Sequence, residues 1–386
     1  MNSIMTMCKM INRSSRFCLK TVSIPKLQIY KMSTNASISE LQMDKDSFQD
    51  ILPSILDTLV GSSKFKDVPE VAKWTKQMLE YNLQGGKKIR GLITTFAFET
   101  IEDPSKLTEK SLKISRVVGW CVEMLQAYFL VTDDIMDGSV KRRGVPCWYR
   151  LPDVGLGALN DAILIYSSMF ELLKIYCGHL PQYKLIIESF NEIILYTSIG
   201  QHLDYTMAHR NKNDYSLFTM ERYSSIVKYK TAYYTYKLPV CLGLLLANNL
   251  DRETHSQAER ICLEIGHLFQ MQDDYIDVYG VEAVTGKIGT DIQEGKCSWL
   301  AVQALQQCND NQRRVFTSCY GSSEPAHIER IKRLYEELEL PKAYQIEERA
   351  RYDSVINLIR QMPSDVNAGA SDLFLKLLDI TYDRKN

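Results

Sequence analysis

Residues 107–137 read LTEKSLKISRVVGWCVEMLQAYFLVTDDIMD, and this stretch decides the fold class. Leu112, Val117, Val118, Cys121, Leu125, Tyr128 and Phe129 follow the three-and-four rhythm of one helical face. The helix this predicts ends in three carboxylates, Asp133, Asp134 and Asp137. Asp133 and Asp137 fall one turn apart on one face, at the end where the macrodipole is already negative. Both placements are unfavourable, and the run before them is largely apolar. Together they mark a cation site, and Mg²⁺ suits it: a hard ion that takes one or two carboxylates and fills its shell with water and phosphate oxygens.

The same D-D-x-x-D spacing returns 140 residues later at Asp273, Asp274 and Asp277, after the apolar-periodic run Ile261–Met271. Two copies at equivalent helix ends suggest that they face each other across a cavity and clamp a polyanion through bound metal, most simply a diphosphate. Basic residues fit that ligand. In Gly85-Gly86-Lys87-Lys88-Ile89-Arg90-Gly91 a glycine pair precedes a helix start, with Lys87 and Arg90 on one face. Arg142 and Arg143 follow the first triplet closely, and Lys230, Lys287 and Lys296 are further candidates. Taken singly, each motif could be no more than a charged helix end in solvent.

Helical periodicity extends over the rest of the chain. Besides 107–137 it predicts helices near 42–60, 66–82, 87–100, 157–178, 182–210, 215–229, 231–250, 252–279, 291–309, 324–338, 343–361 and 369–382. There is no alternating strand run and no 20–50-residue repeat. Nineteen Gly and 11 Pro in 386 residues is a low share that favours long uninterrupted helices. The expectation is one all-α domain over residues 40–386. A net charge of −1 gives no indication of a nucleic-acid partner, and no charge-free run reaches the ~18 residues of a membrane span. Ten cysteines without a C-x-x-C pair and six dispersed histidines suit neither zinc nor a disulfide scaffold.

Charge separates the N-terminus from the rest. Lys9, Arg13, Arg16, Lys20, Lys26 and Lys31 all precede the first acidic residue, Glu40. Residues 1–39 are basic, Ser-rich and acid-free, which is the composition of a mitochondrial transit peptide, with a disordered leader as the alternative. A start at Met32 would leave the leader out and predict a cytoplasmic protein.

The chain resembles the eukaryotic short-chain trans-prenyl diphosphate synthases. The likeness rests on GGKKIRG (85–91), VGWCVEMLQAYFLVTDDIMDGSVKRRG (118–144), TSIGQHLD (197–204), KYKTAYYTYKLP (228–239), FQMQDDYIDVYG (269–280) and GKIGTDIQEGKCSWL (286–300), in that order. The resemblance implies an isoprenoid-synthase helical bundle around a central active-site cavity, a homodimer, and three Mg²⁺ per site, with Mn²⁺ or Co²⁺ as possible substitutes. It implies that Asp133, Asp137 and Asp273 ligate metal, with Asp134, Asp274 and Asp277 supporting them. It further implies that Arg142, Lys230, Lys287 and Lys296 hold an allylic diphosphate, and that Lys87, Arg90, Gln126 and Arg143 hold isopentenyl diphosphate. The Lys230 carbonyl, Thr231 and Gln270 would steady an allylic cation, while Thr197, Gln201, Asp204, Tyr234 and Phe269 match other cavity positions. The implied reaction is ionisation, condensation and elimination.

Product length follows from helix geometry. Tyr128 and Phe129 precede Asp133 by five and four residues, roughly 6–8 Å deeper along the axis. Two large rings there would floor the pocket and halt elongation early; they resemble the bulky pair of the family's C15-forming members, which implies the C15 product, with C10 or a C10/C15 mixture as the alternative. The likeness weakens at the C-terminus, where Tyr382-Asp383-Arg384-Lys385-Asn386 has an acid before its basic pair. A terpene cyclase or a non-catalytic prenyl-diphosphate-binding subunit would share the fold. The cyclase would typically lack the second triplet and the G-G-K-x-x-R segment, and the subunit would have lost at least one ligand.

Overall fold

A computed structural model of the protein describes residues 45–211, 214–280, 289–362 and 368–382. The leader, Lys287, Arg384 and Lys385 lie outside the described residues. A helical turn at 45–50 leads into α1 (Leu52–Val60), α2 (Pro69–Leu83), α3 (Ile89–Ile101), α4 (Glu109–Met136), α5 (Ala158–Cys177) and α6 (Tyr183–Tyr205). There follow α7 (Met220–Ile226), α8 (Leu238–Leu246), α9 (Arg252–Tyr279), α10 (Asp291–Glu294) and α11 (Trp299–Gln307). The chain then runs through α12 (Asp310–Cys319), α13 (Pro325–Glu337), α14 (Leu340–Arg360) and α15 (Ala368–Tyr382). The expected all-α architecture is present.

Two apolar cores flank the site. Around α4, Val117, Val118, Trp120, Cys121, Val122, Met124 and Leu125 are all buried, so this helix is packed on nearly every side. Around α9, Ile261, Cys262, Ile265, Leu268 and Met271 organise the second core with α13, α14 and α15. Thr108 and Ser111 close a capping box at the start of α4, and Asp251 caps α9 by accepting from the Thr254 N–H at 2.8 Å. The segments Glu109–Met136 and Gly155–Cys177 are long and apolar enough to cross a bilayer, but 67% of the first one's apolar window is buried inside the protein. That burial is what a central core helix requires.

Three local departures from the periodicity reading have physical causes. The helices expected at 215–229 and 231–250 join through a π-helical stretch, Val227–Lys237. Pro239, in the first turn of α8, has no N–H to give and crowds the turn before it, which favours a widened helix upstream. The helix expected over 291–309 breaks at Gly295, whose φ of 73° ends α10. Helix α12 was not expected: its sequence DNQRRVFTSC is mostly polar, although the capping box of Asn309 and Gln312 signals its start.

A two-residue hairpin, β1 (Lys141–Arg142) with β2 (Val145–Pro146), follows α4. Its turn residues Arg143 and Gly144 both have positive φ, 54° and 81°, as a type I′ turn demands. Strands this short carry no alternation that a sequence could display.

Candidate active site

Both aspartate triplets open onto one hollow. A cavity of about 1400 Å³ is lined by Gln126, Leu130, Asp133 and Asp137 of α4 and by Phe269, Gln270, Asp273, Asp274 and Asp277 of α9. Arg90 of α3, Arg142 and Arg143 of the hairpin, Asp204 of α6, Lys296, and Lys230, Thr231 and Tyr234 of the π segment complete the wall. The backbone of that segment is set by two glycines. A Cβ on Gly200 of α6 would lie 2.1 Å from the Lys230 backbone nitrogen, and one on Gly266 of α9 would lie 2.4 Å from Ala232 Cβ. Helices α6 and α9 thus grip the segment at nearly backbone distance, which is how Lys230 and Thr231 reach the cavity.

At the first triplet, carboxylates and ammonium groups interleave. Lys230 lies 2.5 Å from Asp204 and 3.6 Å from Asp133. Lys296 lies 3.1 Å from both Asp137 and Asp204, and 3.4 Å from Glu294. Gln201 donates to Asp133 Oδ1 at 2.6 Å. Burial opposes ionisation of Asp204, but Lys230 and Lys296 outweigh it and hold the carboxyl well below the usual range. At Asp133 burial is likewise outweighed, by Lys230, Lys296 and Arg142. At Asp137 burial prevails over Lys296, so that carboxyl lies above its ordinary value. Asp134 is placed differently: it is buried, absent from the cavity wall, and accepts from Arg142 Nε at 3.0 Å and Nη2 at 2.5 Å. It therefore anchors Arg142 beside Asp133, which is 3.5 Å from the same guanidinium.

At the second triplet, Asp274 is buried and accepts from the Trp299 N–H and from Gln270 Nε2, both at 2.8 Å. Burial pushes its carboxyl up to about 7 despite these bonds. Gln270 in turn accepts from Thr231 Oγ1 at 2.8 Å, so one chain of hydrogen bonds runs from the π segment to Asp274. Asp277 accepts from the N–H groups of Asp291 and Thr290 at 3.0 and 3.3 Å, at the N-terminus of α10. Gly289 permits that approach: a Cβ there would lie 1.8 Å from the Asp277 carbonyl oxygen.

Every donor that these aspartates offer is oxygen, which fits a hard divalent cation. Among the described residues no three carboxylate, His or Cys side chains converge into a ready-made cage.

The third group lies around α3. Arg90 donates to Tyr234 Oη at 2.7 Å and Thr235 Oγ1 at 2.9 Å, and its guanidinium carbon sits 4.3 Å over the Tyr234 ring. With its amide turned to satisfy both neighbours, Gln126 accepts from Arg90 Nη1 at 2.8 Å and donates to Glu123 at 3.2 Å. Arg143 donates to the Gln84 carbonyl at 2.9 Å and packs onto Gly86, where a Cβ would meet its Cζ at 2.9 Å. The glycine pair thus makes room for a guanidinium. Lys87 is exposed on the same loop.

Below the first triplet, Tyr128 and Phe129 are half-buried with ring centroids 5.0 Å apart. Tyr128 also meets Tyr166 of α5 at 5.6 Å, and Phe129 meets Tyr234 at 6.3 Å. Thr197 is buried. Sequence reading had not singled out Glu123, which binds Gly91 N–H at 2.9 Å, or Glu294, which pairs with Lys296. Both lie inside segments that carry the family likeness, but neither belongs to a repeated acidic triplet.

With this geometry in view, the comparisons are informative. The polyprenyl synthetase family profile matches residues 72–338. The farnesyl pyrophosphate synthase of Murgantia histrionica is 43% identical over 342 residues, which is 89% of this chain and 82% of that one. The human farnesyl pyrophosphate synthase is 45% identical over 310 residues, 80% of this chain and 73% of that one. A T. brucei farnesyl diphosphate synthase complexed with a bisphosphonate superposes with a TM-score of 0.83 at 33% identity, covering 89% of this chain and 99% of that one. Profile, sequence and three-dimensional likeness all span the residues that line the cavity, and the chain belongs to the polyprenyl synthetase family.

Proposed function

We propose that this prenyltransferase condenses isopentenyl diphosphate with dimethylallyl diphosphate and then geranyl diphosphate, giving mainly farnesyl diphosphate. The observation that carries the reading is the shared cavity, with a carboxylate cluster on each of two walls and cationic side chains between them. The names of its relatives agree with it.

Asp133, Asp137 and Asp273 would hold Mg²⁺, with Asp277 in support. When bound, the metal would supply the positive charge that draws electrons toward a departing diphosphate. Arg142, Lys230 and Lys296 direct further positive charge into the same region, and their carboxylate partners hold them in place beforehand, so little reorganisation is needed as negative charge develops. Arg90, Gln126, Arg143 and Lys87 form the second anion site, for isopentenyl diphosphate, at the α3 end of the cavity. The Thr231 and Gln270 side chains present dipoles to a carbocation left between the two sites. The proton lost from isopentenyl diphosphate goes to the released diphosphate, the base formed beside it in the same step.

A product assay tests this directly. With Mg²⁺, isopentenyl diphosphate and either allylic primer, the expected main product is the C15 diphosphate. A cyclic hydrocarbon, or binding without turnover, would overturn the reading. The double variant Tyr128→Ala/Phe129→Ala opens the floor beneath Asp133 and should shift the product beyond C15. An unchanged product spectrum would remove these rings from length control.

The apolar side chains of Leu156 just before α5, of Leu159 and Ile163 at its start, and of Leu195 and Ile199 on α6 are 41–70% exposed. That face supports a homodimer as the working form. Sedimentation should give twice the chain mass of 44.4 kDa, and a monomer at micromolar concentration would refute it. The leader is proposed to direct mitochondrial import; a fluorescent fusion of residues 1–39 that stays in the cytosol would show otherwise.

A further inference from the structure

Lys88 falls between two residues assigned above to the isopentenyl diphosphate site, yet it is only 4% exposed and cannot reach the cavity. Its backbone adopts φ 54° at the start of α3, which turns the side chain beneath the preceding loop. There the ammonium donates to the carbonyls of Leu83 and Gly85, the latter at 2.6 Å. Leu83 is the last residue of α2, so the cation satisfies an orphan carbonyl and complements the negative helix end. From the other side of the loop, Arg143 takes the carbonyl of Gln84 at 2.9 Å. Three successive carbonyls, at 83, 84 and 85, are therefore held by two cations from opposite sides.

We infer that Lys88 is a positioning residue for isopentenyl diphosphate: it fastens the turn from beneath and so presents Lys87 and the docked Arg143 at the cavity mouth. The inference deepens the proposed function and rests on it. Lys88 is faced by Glu123 of α4, by Arg143 of the hairpin turn and by Lys45 of the N-terminal helical turn, and it lies 5.6 Å from the Trp120 ring. Burial pushes its amine down to about 8; Glu123 opposes that shift, while Arg143 and Lys45 add to it. Protonation therefore changes across the weakly alkaline range. Above that value the two carbonyl bonds lose their charge assistance, and the anion site loses a nearby positive charge.

The sign of the stability effect separates this role from a structural one. With its pKa depressed on folding, Lys88 holds fewer protons in the folded than in the unfolded chain between pH 8 and 10.5. Its contribution to stability therefore rises with pH across the window in which isopentenyl diphosphate binding weakens. A group that acted only on stability would leave the KM for isopentenyl diphosphate unchanged across that window.

The test is the KM for isopentenyl diphosphate, measured from pH 7 to 9 for the wild type, Lys88→Met and Lys88→Arg. The wild type should show KM rising near pH 8. Lys88→Met should raise KM at pH 7 about tenfold, the scale of lost bonds to a charged group, with little pH dependence, while kcat and the KM for geranyl diphosphate stay within about twofold. Lys88→Arg, charged throughout, should keep a low KM and lose the alkaline rise. A Lys88→Met KM within twofold of wild type, or a wild-type KM that is flat to pH 9, refutes the inference. If Lys88→Met does not fold, the wild-type and Lys88→Arg profiles still decide. A wild-type protein without prenyl transfer would instead refute the parent reading, and isopentenyl diphosphate binding by calorimetry across the same pH range would then test Lys88 separately.

Discussion

Replacing Asp133 or Asp273 with alanine should each lower kcat about a thousandfold, or ~4 kcal/mol of transition-state stabilisation, while the protein stays folded. Each change removes the carboxylate that one wall would offer a divalent cation, and beside the first triplet Asp204 is already engaged by Lys230 and Lys296, and Asp134 by Arg142. Stability should be much less affected. Asp133 lines an open cavity, and Lys230 keeps its 2.5 Å contact with Asp204 when Asp133 is gone. The check is steady-state turnover alongside a urea unfolding curve. Turnover above a tenth of wild type in either variant would remove the two-walled mechanism.

The second large effect is expected at a residue that has no side chain. Gly200→Ala would place a methyl 2.1 Å from the Lys230 nitrogen, 2.4 Å from the Tyr229 carbonyl carbon and 2.5 Å from Lys230 Cα. All three are backbone atoms, so no side chain can rotate away. The clash can be relieved only by moving α6 or rewinding the π segment, at about 3 kcal/mol or more. Either motion displaces Lys230 and Thr231 from the cavity. The variant should show a lower urea midpoint together with a reduced kcat, and a wild-type midpoint would contradict the close approach. A π stretch at a catalytic wall therefore depends on residues that never touch substrate.

Much of this architecture was legible from residue order. The rhythm of 107–137 and 252–279 yields helices because burial of one face dominates the energetics of a long amphipathic segment. Their observed bounds, Glu109–Met136 and Arg252–Tyr279, differ from the expected ones by two residues at most. The carboxylate triplets stand out because like charges at helix C-termini are costly wherever they occur. The π segment was not legible: its i→i+5 register lies in the backbone hydrogen bonds, which no residue type within Val227–Lys237 announces. Nor was the division of labour within the first triplet, since D-D-x-x-D does not say which carboxylate faces an arginine.

Residue order by itself determined most of the helices, the two acidic helix ends and the family, because these depend on spacing along one chain. Only the tertiary structure decided that Asp134 anchors Arg142, that Gly86 receives a guanidinium, and that Gly200 and Gly266 clamp the segment bearing Lys230. The glycine contacts join elements far apart in sequence through close backbone approach, and the Asp134–Arg142 pair joins a helix end to the hairpin after it through the pairing of buried charge. Both depend on distances that exist only once the helices have packed.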